Sequence, residues 1–306
     1  MTSEQFELSG KDDSKFNVYK WGYGDKKPVV QIAHGMGEHA KKYDEIANFL
    51  ADKGFKVYAN DHRGHGITGK ENGTHGFFGE NDGWDYVVSD MQQLSDHIKE
   101  KHPDTKLFII GHSMGSMLLR DYILQHSDKI DGAVIVGTGG HPGLTGYFGL
   151  IIAKIQSILF GKKSVKGLLN NLSNIKFNSH FKPCRTSYDW LSRDEKKVDE
   201  FVKDPLCLKS FTTGFYYDLF KGVLKINKGK NLGTTRKNLP LLIISGEKDP
   251  VGDFTKGVKS VFEMFKKQGM NDLDLKFYKD ARHEVFNETN RIEVFEDVVN
   301  WLKFKL

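Results

Sequence analysis

The order of hydrophobic patterns predicts an α/β fold: a mostly parallel central sheet with helices on both faces and a large insertion late in the chain. Three observations carry that expectation. Apolar runs suited to buried strands alternate with amphipathic helix patterns through the first 136 residues. The alternation stops near Gly137 and resumes at about residue 240. Glycines punctuate the ends of the strand-like runs, as Gly35 and Gly37 do after one and Gly111 and Gly115 around another. Strand–helix alternation of this kind gives a parallel sheet covered on both sides.

Phe16–Trp21 reads as the first strand and Pro28–Ala33 as the second. Tyr43, Ile46, Ala47 and Leu50 then mark one helix face, which Gly54 ends. Phe55–Ala59 is the next strand, followed by a glycine-rich loop to Gly83. Trp84, Val87, Val88, Met91, Leu94 and Ile98 define a long amphipathic helix, closed by Pro103. Leu107–Ile110 and Ala133–Val136 are apolar throughout, as strands buried on both faces are, and Met114–Gln125 between them is helical. After the break come a strand at Leu241–Ile244, a helix carrying Val258, Val261, Phe262 and Phe265, and a strand at Leu273–Tyr278. A last helix carries Ile292, Phe295, Val299 and Leu302. The expected division is a core of residues 1–136 and 240–306, with residues 137–239 as a cap, or lid.

The 306 residues are enough for one such domain with its insertion. The formal net charge is +5, but the signs are mixed along the chain, so no nucleic-acid footprint is expected and only a mild attraction to anionic lipid. The N-terminus has neither a basic n-region nor an apolar h-region, so a secretory signal is not expected. No stretch holds 18 uncharged apolar residues, so no membrane-spanning helix is expected. Cys184 and Cys207 are too few for a disulfide framework and read as reduced thiols, which suits a cytoplasmic protein.

Gly111-His-Ser-Met-Gly115 fits G-x-S-x-G directly after a buried strand and before a helix. That setting places Ser113 on a sharp strand-to-helix turn as a nucleophile, with glycines where side chains would not fit. A serine hydroxyl needs an adjacent base, and the partners are expected in the order Ser, Asp, His. His283 follows the last strand and is the only histidine after His180. Asp249 follows the strand Leu241–Ile244 in an Asp-Pro turn that can aim a carboxylate inward, with Glu247 and Asp253 in reserve. The loop His34-Gly-Met-Gly37 supplies a second backbone donor, so the N–H groups of Met36 and Met114 would form an oxyanion hole.

Two other patterns are set aside. Gly64-His-Gly-Ile-Thr-Gly69 matches G-x-G-x-x-G, but Glu71 replaces the Ser or Thr of a P-loop and no helix is expected there. Asp61, His62 and His65 lack the spaced carboxylates or cysteines of a metal site and read as a hydrogen-bonded loop; no metal and no cofactor are expected. In the cap, Leu144–Phe160 is largely apolar, with Lys154, Lys162, Lys163 and Lys166 beside it. Two readings stay open: an amphipathic lid touching lipid, or a cap helix packed on the core. The same surface could pair copies, giving a monomer or a weak homodimer.

The chain resembles the monoacylglycerol lipase and lysophospholipase group of α/β-hydrolases over nearly its whole length. The resemblance rests on His34-Gly-Met-Gly-Glu-His39, Tyr58-Ala-Asn-Asp-His-Arg-Gly-His-Gly66, Gly76-Phe-Phe-Gly79 with Asp82-Gly-Trp84, and Gly111–Gly115. Asp189-Trp-Leu-Ser-Arg193, Asp204-Pro-Leu-Cys207 and Gly246-Glu-Lys-Asp249 extend it. It implies the α/β-hydrolase fold, a triad of Ser113, Asp249 and His283, a helical cap over an acyl tunnel, and single-chain fatty esters as substrates, without a metal. It also implies that Glu38 and His112 lie near the polar end of the pocket and help bind the glycerol head, with Phe201 a third substrate-binding position. Lys42 stands where the mammalian enzymes carry Arg, and Phe201 where they carry a Tyr that approaches the glycerol, so head-group preference does not carry over. The expected activity is serine ester hydrolysis on monoacylglycerol-like lipids. A peptidase on the same fold and a ligand sensor that keeps the site are the alternatives.

Overall fold

The computed structural model describes residues 3–24, 26–228 and 235–306. Residues 229–234, at the end of the expected insertion, and Met1 and Thr2, at the start of the segment read for a signal, lie outside the described residues. The apolar runs form one eight-stranded sheet: β1 (Glu4–Ser9), β2 (Lys15–Trp21), β3 (Val29–Ala33), β4 (Lys56–Asn60), β5 (Leu107–His112), β6 (Gly132–Val136), β7 (Leu241–Gly246) and β8 (Leu273–Tyr278). Their order is β1-β2-β4-β3-β5-β6-β7-β8. β1, β2 and β4 join antiparallel, and every other pairing is parallel.

The helices are α1 (Asp44–Asp52), α2 (Gly66–Glu71), α3 (Gly83–Lys101), α4 (Met114–His126), α5 (Gly143–Phe160), α6 (Leu169–Asn178), α7 (Glu195–Lys203), α8 (Thr213–Ile226), α9 (Lys256–Lys267) and α10 (Arg291–Phe304). The two-residue period of the strands explains their placement. Leu107 and Ile109 of β5 point into a core shared with α3, α4 and α9. Phe108 and Ile110 point into a second core shared with α1 and α10. This is an α/β-hydrolase architecture, and β5 in its centre delivers Ser113.

Three elements differ from expectation. β1 was not anticipated: only Phe6 and Leu8 are apolar, both half-buried, and a pattern that short is weak. The glycine-rich loop does contain a helix, α2, contrary to the expectation that none begins there. The Asp61 carboxylate sits at its start, Oδ2 accepting from Ile67 N at 2.8 Å and Oδ1 from Ala40 N at 2.8 Å. An N–H group that an anion would use there is thus held by the protein's own side chain. Third, α5 tolerates one charge, Lys154, and is by length and composition apolar enough to cross a membrane. It packs instead along α8, with Ala153 buried. Between β6 and β7 the described residues hold helices α5–α8 and no strand. Leu169, Phe211, Phe215 and Ile226 from this stretch join the same core as Leu107 and Ile109.

Candidate active site

β5 ends against α4 in a turn centred on Ser113, whose φ of 53° and ψ of −118° hold it in a strained conformation. The glycines on either side are required by close approach. A Cβ on Gly115 would stand 2.1 Å from Ala33 O, and one on Gly111 2.5 Å from Gly115 O. The Ser113 N–H donates to Val136 O of β6 at 2.9 Å, tying the turn to the next strand.

His283 follows β8 and is 2% exposed. Its Nε2 lies 2.8 Å from Ser113 Oγ and its Nδ1 2.9 Å from Asp249 Oδ1. Asp249 follows β7 and is wholly buried. Its Oδ1 also accepts from Val251 N at 2.9 Å, and its Oδ2 from Ser245 Oγ at 3.0 Å. With the carboxylate as acceptor, the His283 proton belongs on Nδ1, which leaves Nε2 free to accept from Ser113. The reserve acids lie apart from this chain: Glu247 is exposed, and Asp253 faces the cavity at an exposed position. Two aromatic rings frame the imidazole, Trp190 at 5.2 Å and His112 at 5.0 Å between centroids. The Glu284 N–H donates to Leu191 O at 2.7 Å, so the segment before α7 braces the histidine loop.

Ser113 opens on a cavity of about 1010 Å³. Met36 and Met114 line it, and neither N–H has an acceptor among the described residues. Leu169, Tyr216, Leu219 and Phe220 form much of its apolar wall. Glu38, His112 and Phe201 line it too, though each is nearly buried. Phe201 packs between two ammonium groups, Lys42 at 5.6 Å and Lys209 at 5.0 Å from its ring centre.

Glu38 is engaged by the protein on both oxygens. Oε1 accepts from Lys42 at 2.9 Å. Oε2 accepts from Gly35 N at 2.8 Å and Tyr43 OH at 2.6 Å, and lies 3.0 Å from His112 Nδ1. Lys42 also donates to Glu284 at 2.7 Å. Burial alone would raise the Glu38 carboxyl, but Lys42 and then His112 outweigh it and hold the pKa well below the usual range. Burial likewise disfavours the Lys42 and His112 cations, and the neighbouring carboxylates reverse this and raise both. Glu38 therefore shapes the loop under Ser113 more directly than it presents itself to a ligand.

The sequence reading did not find Ser245, Tyr43 or Glu284. Two signals were available: Lys42 stands four residues after Glu38 at ion-pair spacing, and Glu284 adjoins His283. Among the described residues, His39, Asp204 and Cys207 bring metal-type ligand atoms within 4.8 Å of one another. His39 Nε2 and Asp204 Oδ2 are already joined at 2.9 Å, and burial pushes the Cys207 thiol up, toward its protonated form. The group ties the loop after β3 to the segment after α7.

Comparison with known proteins agrees with this architecture. The family described as serine aminopeptidase, S33, matches residues 24–290. Monoglyceride lipase of Mus musculus is 28% identical over 294 residues, covering 92% of this chain and 84% of that protein. Monoacylglycerol lipase of Mycolicibacterium smegmatis is 26% identical over 283 residues, covering 91% and 89%. A thermostable carboxyl esterase from Bacillus coagulans, solved in complex with glycerol, superposes with a TM-score of 0.90 at 26% identity, covering 99% of this chain and 98% of that one. A strained serine turn at the end of β5, the family match across most of the chain and the likeness to these esterases lead to one assignment: the chain belongs to the serine aminopeptidase S33 family and is a monoglyceride lipase-like α/β-hydrolase.

Proposed function

We propose that the protein hydrolyses carboxylic esters of single-chain lipids, monoacylglycerols foremost, through a Ser113–His283–Asp249 triad and an acyl-enzyme. The observation that carries this reading is the hydrogen-bonded chain from Ser113 through His283 to Asp249 at the wall of a large, mainly apolar cavity. Ser113 Oγ attacks the ester carbonyl while His283 Nε2 takes its proton. Asp249 holds the imidazole in the required tautomer and offsets the charge it gains. The N–H groups of Met36 and Met114 receive the oxyanion, the second from the start of α4, where the helix dipole favours negative charge. The alcohol leaves with the proton from His283, and water then cleaves the acyl-enzyme by the same steps.

The resemblance to monoglyceride lipases supports the choice of substrate. A peptidase would need a free carboxylate to hold a peptide amine; Glu38 and Glu284 are both bound to Lys42, which leaves the exposed Asp253 as the cavity acid that could serve one. Residues 137–239 serve as the cap in this reading. Leu144, Phe148, Ile151, Ile155, Ile158 and Leu159 of α5 face outward, with lysines beside them, and rest on a lipid surface that feeds the cavity.

The test is steady-state hydrolysis of a monoacylglycerol, a lysophospholipid, a short p-nitrophenyl ester and an amino-acid anilide, each with Ser113→Ala as control. The expected result is fastest release from the monoacylglycerol, abolished in Ser113→Ala with the melting temperature unchanged. Turnover of the anilide alone would establish a peptidase. Wild-type turnover in Ser113→Ala would overturn the mechanism.

A further inference from the structure

We propose that His34 is a positioning residue for ester hydrolysis: it holds the Gly35–Met36 peptide so that the Met36 N–H faces the developing oxyanion. The inference rests on the oxyanion role given above to Met36.

His34 directly follows β3 and is wholly buried beside His62 and His65, whose ring centres lie 4.1 and 5.2 Å away. The backbone N–H of His62 donates to His34 Nε2 at 2.9 Å. That nitrogen is therefore an acceptor, and the ring proton sits on Nδ1. His34 Nδ1–H then donates to Gly35 O at 2.8 Å. Burial, and after it the neighbouring His62 and His65, hold the His34 pKa well below the usual value, so the ring stays neutral.

The Gly35 carbonyl and the Met36 N–H belong to one trans peptide plane and point in opposite directions. Fixing the carbonyl fixes the N–H. The carbonyl also accepts from Glu38 N at 3.3 Å, and the Gly35 N–H is held by Glu38 Oε2 at 2.8 Å. The carbonyl thus has two donors and the preceding peptide is held through its own N–H, while the Met36 N–H has no acceptor among the described residues. A donor on the carbonyl also polarises the amide and strengthens the Met36 N–H as a donor. Orientation set before reaction is the property an oxyanion hole needs.

Two amide variants separate this role from simple packing. The Asn amide can occupy the place of Nδ1, so His34→Asn keeps a donor for Gly35 O. The Gln amide reaches the place of Nε2, so His34→Gln keeps the acceptor for His62 N and loses that donor. For a water-soluble ester, His34→Gln is expected to lower kcat by about 10- to 100-fold, less than outright removal of an oxyanion donor. KM should stay within about twofold, the mark of an interaction made in the transition state. The inhibition constant of a boronic acid that adds to Ser113 should weaken in step with kcat/KM. His34→Asn should stay within about fivefold of wild-type kcat.

Wild-type kcat in His34→Gln, or equal losses in both variants, would overturn the proposal. Should either variant fail to fold, histidine-selective nitrogen NMR of the wild type decides. An Nδ1-protonated His34 that does not titrate from about pH 5 to 9 is expected. An Nε2-protonated or titrating ring would overturn it. Ser113→Ala in the same assay keeps the two proposals apart. Undiminished turnover there rejects the triad, whereas an inactive Ser113→Ala beside a fully active His34→Gln rejects only the role of His34.

Discussion

Asp249 makes hydrogen bonds to His283, Val251 and Ser245 with no exposure to water. An amide in its place can offer N–H where the carboxylate only accepts, which drives His283 toward the tautomer that cannot take the Ser113 proton. Asp249→Asn is therefore expected to lower kcat by about 10³- to 10⁴-fold with KM little changed, leaving residual turnover from the oxyanion donors. Steady-state kinetics beside a thermal melt checks this: a loss of activity that tracked a loss of folded protein would refute it. The members of the proposed triad could be named from the sequence because each follows a strand and the serine sits in a motif with local meaning, and the structure brings them into one hydrogen-bonded chain. Their supports were not. Lys42 meets Glu284 across 242 positions of sequence, and Ser245 is a polar residue at the end of an apolar strand. Partners so far apart are chosen by topology, which residue types alone do not reveal.

Among the elements, α5 is where pattern and placement diverge most. Its sequence is apolar around most of its circumference, yet only Gly146, Gly149, Ala153 and Gln156 are buried. The small residues face α8, and the large ones face outward. Periodicity left a lid and a packed helix both open, because nearly every position is apolar and no face stands out. In the structure α5 packs on its small face and exposes its large one. Replacing Ile151, Ile155 and Ile158 together with Ser should weaken sedimentation with anionic vesicles and slow hydrolysis of vesicle-borne monoacylglycerol by about tenfold or more. Turnover of a soluble short ester should be unchanged. Equal vesicle binding in the variant would remove the lipid role from this helix. α2 teaches a related lesson: six residues held by Asp61 form a helix too short for a period to register.

Over the whole molecule, the alternation of strands and helices gave the parallel centre of the sheet correctly, because strands buried on both faces carry continuous apolar runs. The antiparallel edge at β1 and helices α6, α7 and α8 were not legible as elements. The described part of that insertion is not a separate body, since α8 packs on α3 and α4 and shares their core. Asp218 of α8 sits against Gly83 at the start of α3, and burial pushes its carboxyl up to about 6. Lys221 and Lys162 offset that push only in part, and Asp82 and Asp85 add to it. The folded state thus binds this proton more tightly than the unfolded chain does. Its contribution is present at low pH and is lost as pH rises through 6. Asp218→Asn should raise stability at pH 7.5 by up to about 3 kcal/mol, with the gain vanishing near pH 4. Thermal melts of both proteins across that range check it, and a gain that grew toward acid would contradict the assignment.

β1 and β8 are the open borders of the sheet, and both are charged: Glu4 and Glu7 on one, Asp274 and Lys276 on the other. A neighbouring molecule cannot readily extend the sheet from either side. Were two copies to associate, the exposed apolar face of α5, which the proposed lipid contact also uses, would be the surface left for it. A pair formed there would hide the surface proposed to meet lipid. In a concentrated stock the enzyme would then be held in reserve, and dilution onto a lipid surface would release it.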